Sequence, residues 1–212
     1  MMGSNVWMID KMEHYLTNDL EATREEINYL KRLYTLKTNT RSDPRKRASA
    51  FLPSTIIDDF LYHGDLDHAR NRNLLNELAI KHIISVCNIQ LDKEIIDNFN
   101  VLWINIDDTL SVDIRKHFDQ TNQFLLSCKE NDEKVLVHCQ MGISRSSSIV
   151  LAYLIKYHHE NLIDAYDHLL NRRYIAAPNF GFFLQLIRYE KALNNDKTDN
   201  KDSIPKGSCN CM

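Results

Sequence analysis

Between Val135 and Ser148 the chain reads VLVHCQMGISRSSS, and the residue types that can do chemistry concentrate there. An apolar run leads into His138 and Cys139. A turn formed by Gln140, Met141, Gly142, Ile143, Ser144 and Arg145 then separates the cysteine from a helix-like stretch. Gly142 stands in mid-turn, where a backbone must bend or approach a ligand closely. A turn between a strand and a helix N-terminus gathers N–H groups at one point, and the helix dipole adds positive potential, so this loop is a candidate anion site. The same field favours a thiolate at Cys139. Arg145 contributes a planar guanidinium that suits two oxygens of one phosphate. A thiolate beneath a cradle for a dianion is equipped to attack phosphorus through a cysteinyl-phosphate intermediate. The plain alternative, a buried structural thiol at a strand end, is the default for a lone cysteine. It leaves the surrounding His, Gly, Arg and Ser without a reason.

The elements that must position this loop can be read from periodicity. Strand-like runs fall at Phe60–Tyr62, His82–Cys87, Val101–Ile106 and Lys134–His138. Helix-like runs fall at Leu66–Leu78, Val112–Ser127, Arg145–Tyr157, Leu162–Arg172 and Pro178–Leu193, the last with a proline in its first turn. Alternating β and α segments predict an α/β fold, with a central, mostly parallel sheet flanked by helices on both faces. VLVHC is nearly all apolar, as a central parallel strand should be.

Residues 51–194 form the expected catalytic domain, preceded by residues 1–50 and followed by a tail, 195–212. In the first segment Asn18 and Glu21 fit a capping box, and Leu16, Leu20, Ile27, Leu30 and Tyr34 form one apolar stripe, which predicts an N-terminal helical extension. Two readings stand: a helix docked on the domain's own surface, or a short dimerisation seam. A polar, basic linker, TNTRSDPRKRASAF, follows. The tail NDKTDNKDSIPKGSCNCM has almost no apolar content and is expected to be disordered. Internal repeats and low-complexity tracts are absent from the sequence.

Composition narrows the class. The chain has 212 residues, 43% hydrophobic and 26% charged, with a net charge of −3. That describes a globular protein rather than one built to bind nucleic-acid backbone. No stretch approaches the roughly 18 apolar residues of a membrane span. Asp10, Lys11, Glu13 and His14 lie where a signal peptide would need an apolar run, so a cytoplasmic chain, with the nucleus as a second location, is expected. The five cysteines are then expected as thiols.

HCQMGISRS matches the pattern H-C-x-x-G-x-x-R-[ST] at every fixed position, and the chain resembles the dual-specificity protein phosphatases of the cysteine-dependent protein tyrosine phosphatase superfamily. LYHG, KHIISVCN, KVLVHCQMGISRSSSIVLAYLI and APNFGFFLQLIRYEKAL carry the resemblance, from Ser54 to Leu193. It implies a phosphotyrosine protein phosphatase type fold and metal-independent hydrolysis of phosphotyrosine and phosphoserine or phosphothreonine, with no cofactor. Cys139 would be the nucleophile, and Arg145 the residue that grips phosphate and transition state. The backbone of Gln140, Met141, Gly142, Ile143, Ser144 and Arg145 would bind the phosphoryl oxygens. His138 would tune the thiolate, Ser146 would help the intermediate break down, and Asn179 would brace the loop. The general acid, later the base, would be Asp108 in NIDDT, with Asp107 as its rival.

Phosphoprotein substrates are the expected partners of a monomer or weak dimer. Gln140, Met141 and Ile143 carry no charge, whereas relatives acting on inositol lipids place lysines in this loop. Two competing functions are a catalytically silent phosphoprotein-binding scaffold and a phosphatase for a non-protein phosphate such as an RNA 5′ end, a lipid or a glycan. Three further features stay open. Cys87, at the end of the second strand, is either an inert buried thiol or a disulfide partner of Cys139, as in some relatives. Arg45, Lys46 and Arg47 form either a solvated run or a docking segment for a protein kinase, and Ser49 is a candidate kinase target. Cys209 is placed for C-a-a-X prenylation, although Asn210 is not aliphatic, and one lipid would bind a membrane only marginally.

Overall fold

The computed structural model describes residues 6–41 and 51–202. Five strands form one sheet: β1 (Ser54–Ile57), β2 (Leu61–Gly64), β3 (Ile80–Val86), β4 (Asn100–Ile104) and β5 (Lys134–His138). Their order is β1-β2-β5-β3-β4. β1 and β2 form an antiparallel hairpin, and the other three pairings are parallel. β5 therefore runs through the middle, and its C-terminal end brings His138 and Cys139 to the C-terminal end of the parallel strands.

Alternation along β5 shows why helices cover both faces. Val135 and Val137 are buried in one apolar cluster with Ile149, Leu151, Tyr153 and Phe183. Leu136, between them, is buried in a second cluster with Tyr62, Leu75, Ile83 and Ile95. Successive strand residues point to opposite faces, so an all-apolar strand needs cover on each side. The helices α3 (Leu66–Arg70), α4 (Arg72–Glu77) and α5 (Lys93–Asn98) supply residues to the second cluster. The first is built from α6 (Phe118–Glu130), α7 (Arg145–Tyr157), α8 (Leu162–Arg172) and α9 (Phe180–Asp202), together with two N-terminal helices.

Those N-terminal helices depart from the expected single helix. α1 (Val6–Asn18) ends where a helix start is predicted, and α2 (Arg24–Arg41) begins after a turn in which Glu21 takes φ 51°. The capping box is formed by Thr23 and Glu26 rather than by Asn18 and Glu21. Thr23 Oγ1 accepts from Glu26 N at 3.2 Å, and Glu26 Oε2 accepts from Thr23 N at 2.9 Å. Two N–H groups are satisfied reciprocally at Thr23 and Glu26, whereas Asn18 is the last residue of α1 and turns its side chain back to His14. Ile27, Leu30 and Leu33 are buried in the main core, so the stripe on α2 docks on the chain's own body. Tyr34 packs at a tilt against Phe180, 4.8 Å between centroids, and edges onto Phe183 at 5.9 Å. Arg188 of α9 grips Glu26 with Nε at 2.9 Å and Nη2 at 3.1 Å.

Other boundaries shift for local reasons. The expected helix Leu66–Leu78 is two short helices, broken at Asn71, whose side chain caps α4 by accepting from Leu74 N. The run from Val112 starts as loop and a 3-10 turn at Arg115–His117 before α6. Pro178 lies outside α9, because Asn179 caps it with Oδ1 accepting from Phe182 N at 2.9 Å. Helical backbone extends to Thr38–Arg41, expected as linker, and to 195–202, expected as tail. The cluster Arg45–Arg47, Ser49 and Cys209 lie outside the described residues. Among the described residues no helix is long and apolar enough to cross a membrane.

Candidate active site

The turn from Gln140 to Arg145 is held by its carbonyls. Gln140 O accepts from Leu66 N at 3.2 Å, and Ile143 O accepts from Ala177 N at 2.7 Å. Arg173, buried between α8 and α9, donates through Nε to Gly142 O at 2.8 Å and through Nη2 to Met141 O at 3.4 Å. In a trans peptide the C=O and the next N–H point in opposite directions. Carbonyls drawn outward at 140–143 therefore turn the amides of 141–144 toward the inside of the loop. Gly142 takes φ 61°, and a Cβ there would collide with the Arg173 guanidinium and the Gly64 carbonyl. Glycine meets both requirements, the left-handed backbone and the close approach.

Cys139 lies on the floor of this loop, 1% exposed. Ser146, in the first turn of α7, donates from Oγ to Cys139 Sγ at 3.1 Å. His138 is fully buried, with Nδ1 3.3 Å from the Cys139 carbonyl. Burial outweighs that contact and pushes its imidazole down to about 4, so the ring is neutral. Met141 stands 65% exposed on the rim.

Ser144 occupies the N-cap position of α7, yet its side chain does not cap the helix. Its Oγ accepts from Asn179 N at 3.0 Å and donates to Asp108 Oδ1 at 2.7 Å. An uncapped first turn keeps its N–H groups for an incoming anion. Asn179 Nδ2 donates to the same Asp108 oxygen at 2.8 Å. Asp108 Oδ2 lies 3.6 Å from Arg145 Nε, and Arg145 Nη1 donates to Ile106 O at 3.1 Å. The structure thus brings Asp108, Ser144, Arg145 and Asn179 into one network. Asp107 stands apart, accepting from Asn88 at 2.9 Å. Cys87 is a buried free thiol whose Sγ donates to Ile89 O at 3.3 Å.

Three residues of this constellation carry no mark in the signature. Arg173 shapes the loop, and its neighbour Arg172 made the two arginines indistinguishable in sequence. Asp65 lies 4.0 Å from Arg173 Nη2 and caps α3. His63 lies with Nε2 2.8 Å from Ser146 Oγ. A histidine inside the apolar strand LYHG was the one available signal. Among the described residues no group of three or more His, Cys, Asp and Glu side chains could hold a metal ion.

A loop of inward amides at a helix N-terminus, with a thiol on its floor and a carboxylate across its mouth, has the geometry of a candidate anion site beside a cysteine on an α/β sheet. The family profile described as "dual specificity phosphatase, catalytic domain" matches residues 61–192. The chain belongs to that family. It is 40% identical over 145 residues to a probable rhodanese domain-containing dual specificity protein phosphatase of Dictyostelium discoideum, covering 68% of this chain and 30% of that one. It therefore spans less than a third of that relative's length. It is 32% identical over 173 residues to dual specificity protein phosphatase 1 of Arabidopsis thaliana, covering 82% of this chain and 83% of the other. The crystal structure of the Yvh1 phosphatase domain from Chaetomium thermophilum is similar with a TM-score of 0.61 and 30% identity, over 66% of this chain and 96% of that one.

Proposed function

We propose that the chain is a protein phosphatase acting on phosphotyrosine and on phosphoserine or phosphothreonine, in two steps through Cys139. The observation that carries this reading is the placement of the Cys139 thiol on the floor of the inward-facing amides, with Ser146 donating to its sulfur at 3.1 Å. In the first step Cys139 Sγ attacks phosphorus while the loop amides and Arg145 hold the equatorial oxygens. The P–O bond to the leaving group breaks, and Asp108 protonates that oxygen. Asp108 Oδ1 already accepts two hydrogen bonds, so Oδ2 is the oxygen left to carry the proton. In the second step Asp108 takes a proton from water, water oxygen attacks phosphorus, and the P–S bond breaks. The sulfur departs as a thiolate toward the Ser146 hydroxyl. The uncharged loop side chains Gln140, Met141 and Ile143 favour a protein phosphate over a lipid bearing several phosphates.

The test is hydrolysis of a small aryl phosphate, and of tyrosine and threonine phosphopeptides, without added metal. Cys139→Ser should be inactive, and Asp108→Ala should lose the ~10²–10⁴ of a general acid. Asp107→Ala should stay near wild type. Reduced wild type that binds phosphopeptides without turning them over would overturn the reading.

A further inference from the structure

We propose that His63 is a positioning residue for the cysteine chemistry: its ring donates to Ser146 Oγ and so commits the single Ser146 proton to Cys139 Sγ. The inference rests on the phosphatase reading only for its kinetic consequence. Its geometric basis is separate.

Buried serines in a helix ordinarily donate back to the carbonyl four residues earlier. The two serines after Ser146 do so: Ser147 Oγ donates to Ile143 O at 2.7 Å and Ser148 Oγ to Ser144 O at 2.9 Å. Ser146 does not, although it lies in the same turn. Its corresponding carbonyl, Gly142 O, takes the Arg173 guanidinium at 2.8 Å. Its hydroxyl points at Cys139 Sγ instead, 3.1 Å away, and His63 Nε2 stands 2.8 Å from the same oxygen.

A hydroxyl has one proton. Because Ser146 gives it to sulfur, its oxygen accepts from His63, which requires the Nε2–H tautomer. Nδ1 is then a bare lone pair. That atom is buried and has no hydrogen-bond partner among the described residues, an arrangement that strands an acceptor rather than an N–H. Burial, with Arg173, His138 and His68 nearby, holds the His63 imidazole well below its usual range, so the ring is neutral and donates through one nitrogen only. The resulting chain is His63 Nε2–H to Ser146 Oγ–H to Cys139 Sγ. It stabilises sulfur when sulfur is anionic, in the free thiolate and again as the P–S bond breaks in the second step.

The experiment compares wild type, His63→Leu, His63→Gln, Ser146→Ala and the His63→Leu/Ser146→Ala double variant. Glutamine places an amide N–H near the position of Nε2 and keeps the donor if the leucine variant folds poorly. Two readouts are taken: iodoacetamide alkylation of Cys139 against pH, and rapid-mixing hydrolysis of an aryl phosphate. His138, Arg145, Arg173, Asp65 and His68 face the site from β5, α7, the α8–α9 connection and α3, and they are unchanged in every variant. In His63→Leu the alkylation limb should move to higher pH, and steady-state turnover should fall about tenfold with a stoichiometric burst of phenolate, as for one lost hydrogen bond. His63→Gln should recover most of both. In the Ser146→Ala background the His63→Leu change should have little further effect, because His63 acts through that hydroxyl. If wild type turns over but the limb and burst are unchanged in His63→Leu, or its loss persists without Ser146, the positioning role fails and the phosphatase reading stands. If the limb shifts but wild type hydrolyses nothing, the positioning stands and the phosphatase reading fails.

Discussion

Asn179 holds Asp108 from across the site, Nδ2 to Oδ1 at 2.8 Å, while its own Oδ1 caps α9 by accepting from Phe182 N. One side chain therefore ties the carboxylate to the start of a core helix. Asn179→Ala should lower stability by about 1 kcal/mol through the lost cap and lower kcat as Asp108 loses an anchor. Asn179→Asp keeps the cap and places a carboxylate against Asp108. Its melting temperature should return toward wild type while its kcat stays low. Recovery of both together would show that Asn179 matters only for folding.

Gly142 and Arg173 share one constraint. Gly142→Ala forces a left-handed backbone onto a residue with a Cβ and drives that atom into the Arg173 guanidinium and the Gly64 carbonyl. It should destabilise by roughly 2 kcal/mol or more and abolish turnover. Arg173→Met strands the Gly142 and Met141 carbonyls, at a cost of roughly 2–4 kcal/mol, while Asp65 keeps its pairing with His68. Chemical denaturation with activity assays on the folded fraction separates the two effects.

The N-terminal hairpin shares the core of the catalytic domain. Leu30 is fully buried, Tyr29 donates to Glu190 at 3.1 Å, and Lys37 donates to the Tyr174 carbonyl next to Arg173. Leu30→Ala should cost roughly 2–4 kcal/mol and leave one cooperative unfolding transition. Two transitions, or an unchanged main transition, would mean that the hairpin is an independent attachment.

Acid should weaken the fold as pH falls below about 6.5. His63 and His138 are held neutral by burial, with His138 lowered to about 4. The unfolded chain protonates both near 6.5, so it binds more protons than the native state below that pH, and stability falls as pH falls. His138 should cost about 2 kcal/mol between pH 7 and pH 5, and His63 adds to the loss in the same direction. Glu26 and Asp65, whose pKa values are lowered, lose their contributions only at more acid pH. Urea melts at the two pH values measure this, and His63→Gln should flatten the dependence.

The segment β5, turn and α7 was legible from sequence, with Lys134–His138 and Arg145–Tyr157 at the bounds read from periodicity. So was α8, at Leu162–Arg172. An apolar run, a turn and an amphipathic pattern are local signals, and the loop chemistry lies within one short stretch of chain. The hairpin split at Asn18 was not legible, because Leu16 and Leu20 keep the helical spacing while the chain turns back through a left-handed Glu21. β1 and α5 were missed because each is too short to show a period.

The sequence by itself determined that a cysteine, an arginine and a glycine-bearing turn would meet at a helix N-terminus, since neighbours in the chain cannot be far apart in space. Only the tertiary structure decided between Asp107 and Asp108 for the place beside that loop, and drew in Arg173 and His63. Asp108 meets Ser144 across 36 residues and Asn179 across 71, and His63 meets Ser146 across 83. Such contacts depend on where α9 starts and how β2 registers against β5, which packing of both sheet faces sets and no local pattern encodes.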